Sequence, residues 1–537
     1  MRSEVSADTG IDPVAPLSEL LHVLTHLTLA AAVGVALGVA SARTMRRLSL
    51  HWSWSALVLA IVLAARRGST PEDTAAFLAA SSAALCGRRW HREDLNAGLD
   101  LAELAARRRS PLDLLRAGWS LALARVRDEF AAAATPREDE LDLGIDELGR
   151  AARIPLGGGR GGTHTLITGA TGSGKTVTQA AIAAGAIARG MGAIVIDPKG
   201  DEHMRAALAS VAARRGTRFV AWTPDGPSVY NPYAHGSDTE VADKVLASER
   251  FTEPHYQRQA QRYLGHVVRA LRQAGVPTCL RAIVEHLEPS ALEVLVRTLP
   301  GPDHATHRYL DALTARQQND LAGVRDRLAI LAESDVGRWL DPAAAAGERF
   351  DLLDAVRERS VVYFALEADS RPLLAQMLGG AIVQDLQTVV AALQRRPVPT
   401  LAVIDEFSSL GAAHVVRLFG RARSAGMSLL LGTQELADLR VPGHERLLEQ
   451  VLGNLSVLIA HRQVVPDSAA LIARMSGSRG AWRTSLHGDG RTTRTRVAVS
   501  ELSAERLSRL QPGCAAVVDL ERGAGARIVR VRRGETR

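Results

Sequence analysis

The chain opens with two uncharged apolar runs. Leu20–Ala42 carries no formal charge over 23 residues, long enough to cross a bilayer core as a helix. Leu48–Ala65 follows between Arg47 and Arg66, with Trp52 and Trp54 near one end, where indole rings suit a membrane interface. The segment ahead of the first run is acidic (Glu4, Asp8, Asp12, Glu19), unlike the basic start of a cleavable signal. A hairpin with both ends inside puts Arg43, Arg46 and Arg47 outside, against the positive-inside tendency; a single span with an outside N-terminus keeps them inside. Both arrangements stay open, as does a pair of helices buried in a soluble fold. Residues 66–140 are rich in Ala and Arg with helical periodicity and read as helices leading away from the membrane.

From Thr163 the pattern changes to short apolar runs separated by helical stretches. The runs are Thr165–Thr168, Ala193–Ile196, Arg218–Trp222, Ser360–Leu366, Leu401–Ile404, Ser428–Leu431 and Leu455–Ala460. Continuous apolar runs of this length suit strands covered on both faces, and their alternation with helices predicts a parallel α/β sheet with crossover helices. Residues 235–345 break the pattern. They read as amphipathic helices, for example Tyr256–Ala274 and Asp320–Ala332, and predict an all-helical insertion.

Composition supports a folded chain: of 537 residues, 46% are hydrophobic and 23% charged, which excludes a wholly disordered polymer. Cys86, Cys279 and Cys514 lie far apart and form neither a disulfide framework nor a zinc site. The net charge of +7 is uneven, since residues 461–537 hold 15 Lys and Arg against seven Asp and Glu. Such a basic end suits a polyanion or a solvated surface equally. Lysine is nearly absent: only Lys175, Lys199 and Lys244 occur among 65 basic residues. A lysine that survives such a bias points to chemistry that needs a compact ammonium rather than a planar guanidinium.

The most specific pattern is Gly169-Ala170-Thr171-Gly172-Ser173-Gly174-Lys175-Thr176, a P-loop set between an apolar strand and an alanine-rich helix. Its glycines let successive N–H groups turn toward phosphate oxygens at a helix N-terminus. Lys175 is expected at the β- and γ-phosphates of ATP, and the Thr176 hydroxyl on Mg²⁺. The second half of such a site is an acid closing another buried strand, here Leu401–Ile404 followed by Asp405 and Glu406. Asp405 is expected to assist the metal and Glu406 to orient the attacking water. Gln434 closes the run SLLLGTQ at a strand's carboxyl end, where ligands of open α/β sheets gather. A γ-phosphate sensor and a satisfied structural amide both fit it. Arg423 is a candidate arginine finger for a neighbouring subunit, with a surface charge as the alternative.

With these motifs in order, the chain resembles the TraG/TraD/TrwB group of type IV coupling proteins and, more distantly, FtsK and HerA. The match runs through HTLITGATGSGKT (164–176), IVIDPKGD (194–201), Tyr230-Asn231-Pro232, RDRLAILAESDVGRWLDP (325–342), SVVYFALEADSRPLLAQMLG (360–379), VIDEFSSLG (403–411), RSAGMSLLLGTQELADL (423–439), LGNLSVLIAHR (452–462) and LSRLQPGCAAV (507–517). The resemblance implies a RecA-like P-loop NTPase domain with an inserted all-α domain, preceded by an N-terminal helical membrane anchor. It divides the chain into an anchor (1–70), a helical linker (71–140), two halves of the nucleotide domain (141–234 and 346–537) and the all-α domain (235–345). It also implies a homo-hexamer at the cytoplasmic membrane that pumps DNA, with relaxosome and type IV secretion channel components as partners. In that resemblance Lys175 and Thr176 match the first motif, Asp405 and Glu406 the second, Gln434 the third, and Arg423 the arginine finger. The family's second arginine has only Arg160 as a nearby counterpart, and the long C-terminal tail of some members is missing. An FtsK- or HerA-type translocase and an ATP-switched receptor for protein effectors remain the alternatives.

Overall fold

The computed structural model describes residues 15–48, 53–54, 57–58, 61, 71–96, 139–157 and 161–532, apart from short gaps at 248, 250, 252, 302, 345, 411, 441–443, 487–491 and 522–524. Most of Leu48–Ala65, residues 97–138 and Arg160 lie outside the described residues.

The N-terminal unit is built on a helix over Ala15–Arg47, which contains the whole uncharged run. Its Leu20, Val23, Leu29 and Leu37 are exposed, and it meets the length and hydropathy of a membrane span over Ser18–Met45. Four of its hydroxyls, those of Thr25, Thr28, Ser41 and Thr44, donate to carbonyls one turn back in the same helix. The helix packed against it is Pro71–Asn96, part of the stretch read as linker. The reason is steric: a Cβ on Gly34 would sit 2.2 Å from the Ala75 carbonyl oxygen, and one on Gly38 2.0 Å from Ser82 Oγ. Glycines four apart facing small residues let two helix backbones approach closely.

The second unit holds the sheet. The strands in chain order are β1 (Glu140–Asp146), β2 (Ala151–Pro155), β3 (His164–Thr168), β4 (Gly192–Asp197), β5 (Phe219–Trp222), β6 (Val229–Tyr230), β7 (Arg349–Phe350), β8 (Val361–Ala365), β9 (Thr400–Ile404), β10 (Met427–Thr433), β11 (Val457–Ala460), β12 (Ser478–Leu486), β13 (Thr492–Ser500), β14 (Cys514–Asp519) and β15 (Ala526–Val531); β12 and β13 pair with each other in a separate sheet, and their residues 481–497 fall in the N-terminal unit. The main sheet runs β2-β1-β15-β14-β11-β3-β10-β9-β4-β8-β5. The stretch from β11 to β5 is parallel and contains all seven strands expected from the apolar runs. The other edge is antiparallel. It was not anticipated, because β1, β2 and β15 carry charges and partly exposed positions instead of a continuous apolar run.

Alternate residues of each parallel strand enter opposite cores. Ala193 and Val195 of β4 face one layer, Ile194 and Ile196 the other, the period of two that a strand imposes. The first layer is filled by Ile182, Ala186 and Ile187 of helix Lys175–Ala188 and by Met204 and Leu208 of helix Glu202–Arg215. The opposite layer takes the insertion and the apolar helix Pro372–Leu393. That helix is long and apolar enough to span a membrane, yet it is largely buried within the fold.

Between β6 and β7, which pair in parallel, the chain forms helices at Asp238–Val245, Pro254–Gln273, Leu280–Glu285, Pro289–Arg297, His304–Asp311 and Ala315–Ala332. Ser237 with Glu240 and Thr314 with Gln317 form capping boxes, which satisfy orphan amides at two of these helix starts. A buried ionic cluster ties the insertion down: Lys244 Nζ lies 2.6 Å from Asp385 Oδ1, and the Tyr230 hydroxyl donates to Asp385 Oδ2 at 2.7 Å.

Candidate nucleotide site

The P-loop turns from the end of β3 into helix Lys175–Ala188. Gly172 and Gly174 adopt φ of 74° and 104°, a region that costs other residues strain. Gly169 has no room for a side chain, since a Cβ would lie 2.5 Å from His461 Cβ and 2.7 Å from Ser173 Oγ. The loop is pinned where the amides of Gly169, Ala170 and Ser173 donate to the carbonyls of Gln434, Arg462 and Ala170. The amides of Gly172, Gly174, Lys175 and Thr176 have no protein acceptor among the described residues. They surround a cavity of about 630 Å³ whose walls include Lys199, Gln434, Gly513 and Arg530. Opposite the acidic strand the cavity is closed by the turn before β14, where the Gly513 amide donates to the Ser173 carbonyl at 3.1 Å.

One strand, β10, separates β3 from β9, so the P-loop and Asp405 start about 10 Å apart at two strand spacings. Side chains span that gap. Lys175 Nζ lies 3.2 Å from Asp405 Oδ1 and 3.9 Å from Glu406 Oε1. It is buried without an aligned hydrogen bond, an orphaned ammonium that an anionic oxygen would satisfy. Gln434, at the end of the intervening strand, donates to Glu406 Oε1 at 2.8 Å. Glu406 itself has φ of 43°, a strained conformation for a side chain of this kind, of the sort that clusters at functional sites.

Burial works to raise the Glu406 carboxyl, but hydrogen bonds from Lys199 and Gln434 and the charges of Lys199 and Lys175 hold it below the usual glutamate range. Burial likewise opposes the charge on Lys199, and the contact with Glu406 outweighs it to push that ammonium up. His461, packed under the P-loop, is brought down to about 4 by burial and by the charge of Lys175; it is a neutral support that meets Thr178 Oγ1 at 2.9 Å.

The geometry therefore joins Lys175, Asp405, Glu406 and Gln434, with Thr176 at the cavity wall. Arg423 is not part of this group. It precedes β10 at the opposite end of the strands, where it donates to the Asn454 carbonyl and Ser456 Oγ, about 16 Å away by the length of β3. It cannot reach the P-loop of its own chain.

Three further residues belong to the site. Lys199, marked in the sequence by the scarcity of lysine and by its place in IVIDPKGD (194–201) though given no role there, reaches Glu406 Oε1 at 2.5 Å. Gln179, one turn into the P-loop helix, donates to Asp405 Oδ1 at 3.0 Å. Gly432 leaves the space they occupy, for a Cβ there would lie 2.2 Å from Asp405 Oδ1 and 2.3 Å from Gln179 Nε2.

A family model described as the DNA-binding domain of type IV secretion-system coupling proteins matches residues 149–506. The bacterial conjugative coupling protein TrwBdeltaN70 in its unbound monoclinic form aligns with a TM-score of 0.55 at 16% identity, over 74% of this chain and 89% of that one. Plasmid coupling protein TrwB in complex with ADP and Mg²⁺ aligns at 0.52 and 17% identity, over 69% and 86%. VirB4 of Thermoanaerobacter pseudethanolicus aligns at 0.51 and 15%, over 74% and 98%. At these identities the likeness is one of fold. A stretch of 104 residues is 31% identical to an uncharacterized protein of Mycoplasma pneumoniae, covering 19% of this chain and 69% of that protein.

Proposed function

This chain belongs to the type IV secretion-system coupling proteins, and from that premise we propose that it is a membrane-anchored ATPase that moves DNA, with any attached protein, toward a secretion channel. The observation that carries the reading is the orphaned Lys175 ammonium facing a ring of open P-loop amides, with Asp405 and Glu406 beside it. That set fits a nucleoside triphosphate with a divalent cation, and the TrwB structure solved with ADP and Mg²⁺ has the same fold.

In this reading the P-loop amides and Lys175 bind the β- and γ-phosphates, and the partial positive charge of the helix start adds to the attraction. Thr176 and Asp405 hold Mg²⁺, which when bound neutralises phosphate charge. Gln179 keeps Asp405 in place. Glu406 accepts the proton of the attacking water, and Gln434 orients the Glu406 carboxylate. Arg423, exposed and far from the P-loop of its own chain, acts in this reading as the arginine finger on the γ-phosphate of a neighbouring subunit in a hexamer. Contacts to DNA run mainly to phosphates, so binding weakens with salt. The helix over Ser18–Met45 anchors the assembly in the cytoplasmic membrane, and relaxosome and channel components are its partners.

The test is the ATPase rate of the full chain in detergent, with and without single- and double-stranded DNA, and with Lys175→Ala as the blank. Stimulation by DNA that disappears in the blank and falls with salt supports the pump. A hexamer whose hydrolysis ignores both forms of DNA would overturn it.

A further inference from the structure

Lys199 has no part in the mechanism above, yet it makes the shortest contact to the proposed base. Its ammonium lies 2.5 Å from Glu406 Oε1. Gln434 Nε2 stands 2.8 Å from the same oxygen, and Lys175 Nζ 3.9 Å. Two donors at hydrogen-bond distance fill the lone pairs of one carboxylate oxygen. Oε1 is thus fully engaged by protein groups.

The segment that presents Lys199 is rigid. Asp197, closing β4, accepts the amides of Lys199 and Asp201 at 2.9 and 2.6 Å, and the Tyr363 hydroxyl at 2.5 Å. Gly200 takes φ of 73° to complete the turn. The backbone is fixed, whereas the side chain, 43% exposed, lines the nucleotide cavity. Residue type adds an independent argument. In a chain with three lysines among 65 basic residues, an ammonium has been kept where an arginine fork would grip the carboxylate in two places. A lysine on a flexible stem exchanges one anion for another with little reorganisation.

We propose that Lys199 is a γ-phosphate-dependent latch: it holds Glu406 Oε1 until a nucleoside triphosphate enters, then moves its ammonium onto the γ-phosphate and releases Oε1 toward the water. The driving force is Coulombic, since a γ-phosphate in the same cavity carries more charge than one carboxylate. A diphosphate offers no such group, so the latch stays shut. The inference rests on the ATPase reading and adds to it the device that distinguishes triphosphate from diphosphate.

The test uses the full chain in detergent with ATP, a non-hydrolysable ATP analogue and ADP as probes. Lys199→Met is expected to lower affinity for the analogue roughly ten- to hundredfold, the worth of a charge-assisted contact, and to leave ADP affinity unchanged. Lys199→Arg is expected to bind the analogue but turn over slowly, because the fork keeps its grip on Glu406. In parallel, dimethylation with ¹³C keeps the charge and gives only three lysine signals in the wild-type chain. The Lys199 signal should shift with the analogue and not with ADP. Equal loss of analogue and ADP affinity in Lys199→Met, or a Lys199 signal blind to the γ-phosphate, overturns the latch alone. Failure of the wild-type chain to bind either nucleotide overturns the ATPase reading and the latch together.

Discussion

Gly432→Ala isolates the steric logic of the acidic site. Gly432 lies buried in β10, in strand conformation that an alanine adopts freely, so the backbone itself gives no penalty. The added methyl would stand 2.2 Å from Asp405 Oδ1 and 2.3 Å from Gln179 Nε2. Restoring even a 3.0 Å separation requires the carboxylate to retreat by about 0.8 Å, against the strand that packs behind it. Overfilling of this kind costs about 1–3 kcal/mol of stability, and a displacement near 1 Å at a positioning group costs roughly a hundredfold in rate. The assay is DNA-saturated ATP turnover of the folded variant over a Mg²⁺ series, with kcat expected to fall by about two orders of magnitude. Gly420→Ala, where a Cβ meets nothing within 4 Å, is the control and should turn over like wild type. Turnover of Gly432→Ala within threefold of wild type would show that the Asp405–Gln179 arrangement is not what catalysis needs.

Three further outcomes test other parts of the account. Lys244→Met strips the buried Asp385 of its ion pair and should destabilise the chain by about 3–5 kcal/mol, while adding Asp385→Leu should restore most of the loss; a double variant no better than the single, by thermal melting, counts against the pair as an anchor of the insertion. His164 is held at about 4 by burial and by the charge of Arg423, so the unfolded chain binds a proton near pH 6.5 that the folded chain refuses. Its contribution is complete above pH 6.5 and fades as pH falls toward 4, by about 3 kcal/mol in all. The Tm of His164→Gln should therefore decline less than that of wild type between pH 6.5 and 5, and parallel declines would refute the assignment. Gly38→Leu should push helix Pro71–Asn96 away from helix Ala15–Arg47, because even a Cβ would lie 2.0 Å from Ser82 Oγ; unchanged hydrogen-exchange protection of Pro71–Asn96 would contradict that packing.

The parallel half of the sheet was legible because each strand is buried on both faces and so reads as an unbroken apolar run; β4 and β9 are examples. The antiparallel edge was not, since β1 and β15 alternate with charged residues that a local pattern cannot tell from loop. The P-loop was legible because phosphate binding fixes glycines at set spacings along one short segment. Gln179 was not, and Lys199 stood out by its rarity without its partner being visible, because both roles arise where β4, β9 and the P-loop helix converge, and sequence distance hides that convergence. Gly432 was invisible for a simpler reason: its function is the side chain it lacks. The partner of the first apolar helix was also hidden, since helix Pro71–Asn96 is chosen by its small residues Ala75, Ala79 and Ser82 against Gly34 and Gly38 and not by hydrophobicity.

The central claim is that hydrolysis at this site moves DNA. The most direct measurement is ATP-dependent displacement, by the full chain in lipid, of streptavidin from biotinylated single strands or of a third strand from a duplex, with Glu406→Gln as the blank. The account predicts displacement that needs ATP, weakens with salt and vanishes in Glu406→Gln, while that variant still binds nucleotide. DNA-stimulated hydrolysis that proceeds at full rate and displaces neither obstacle would contradict it.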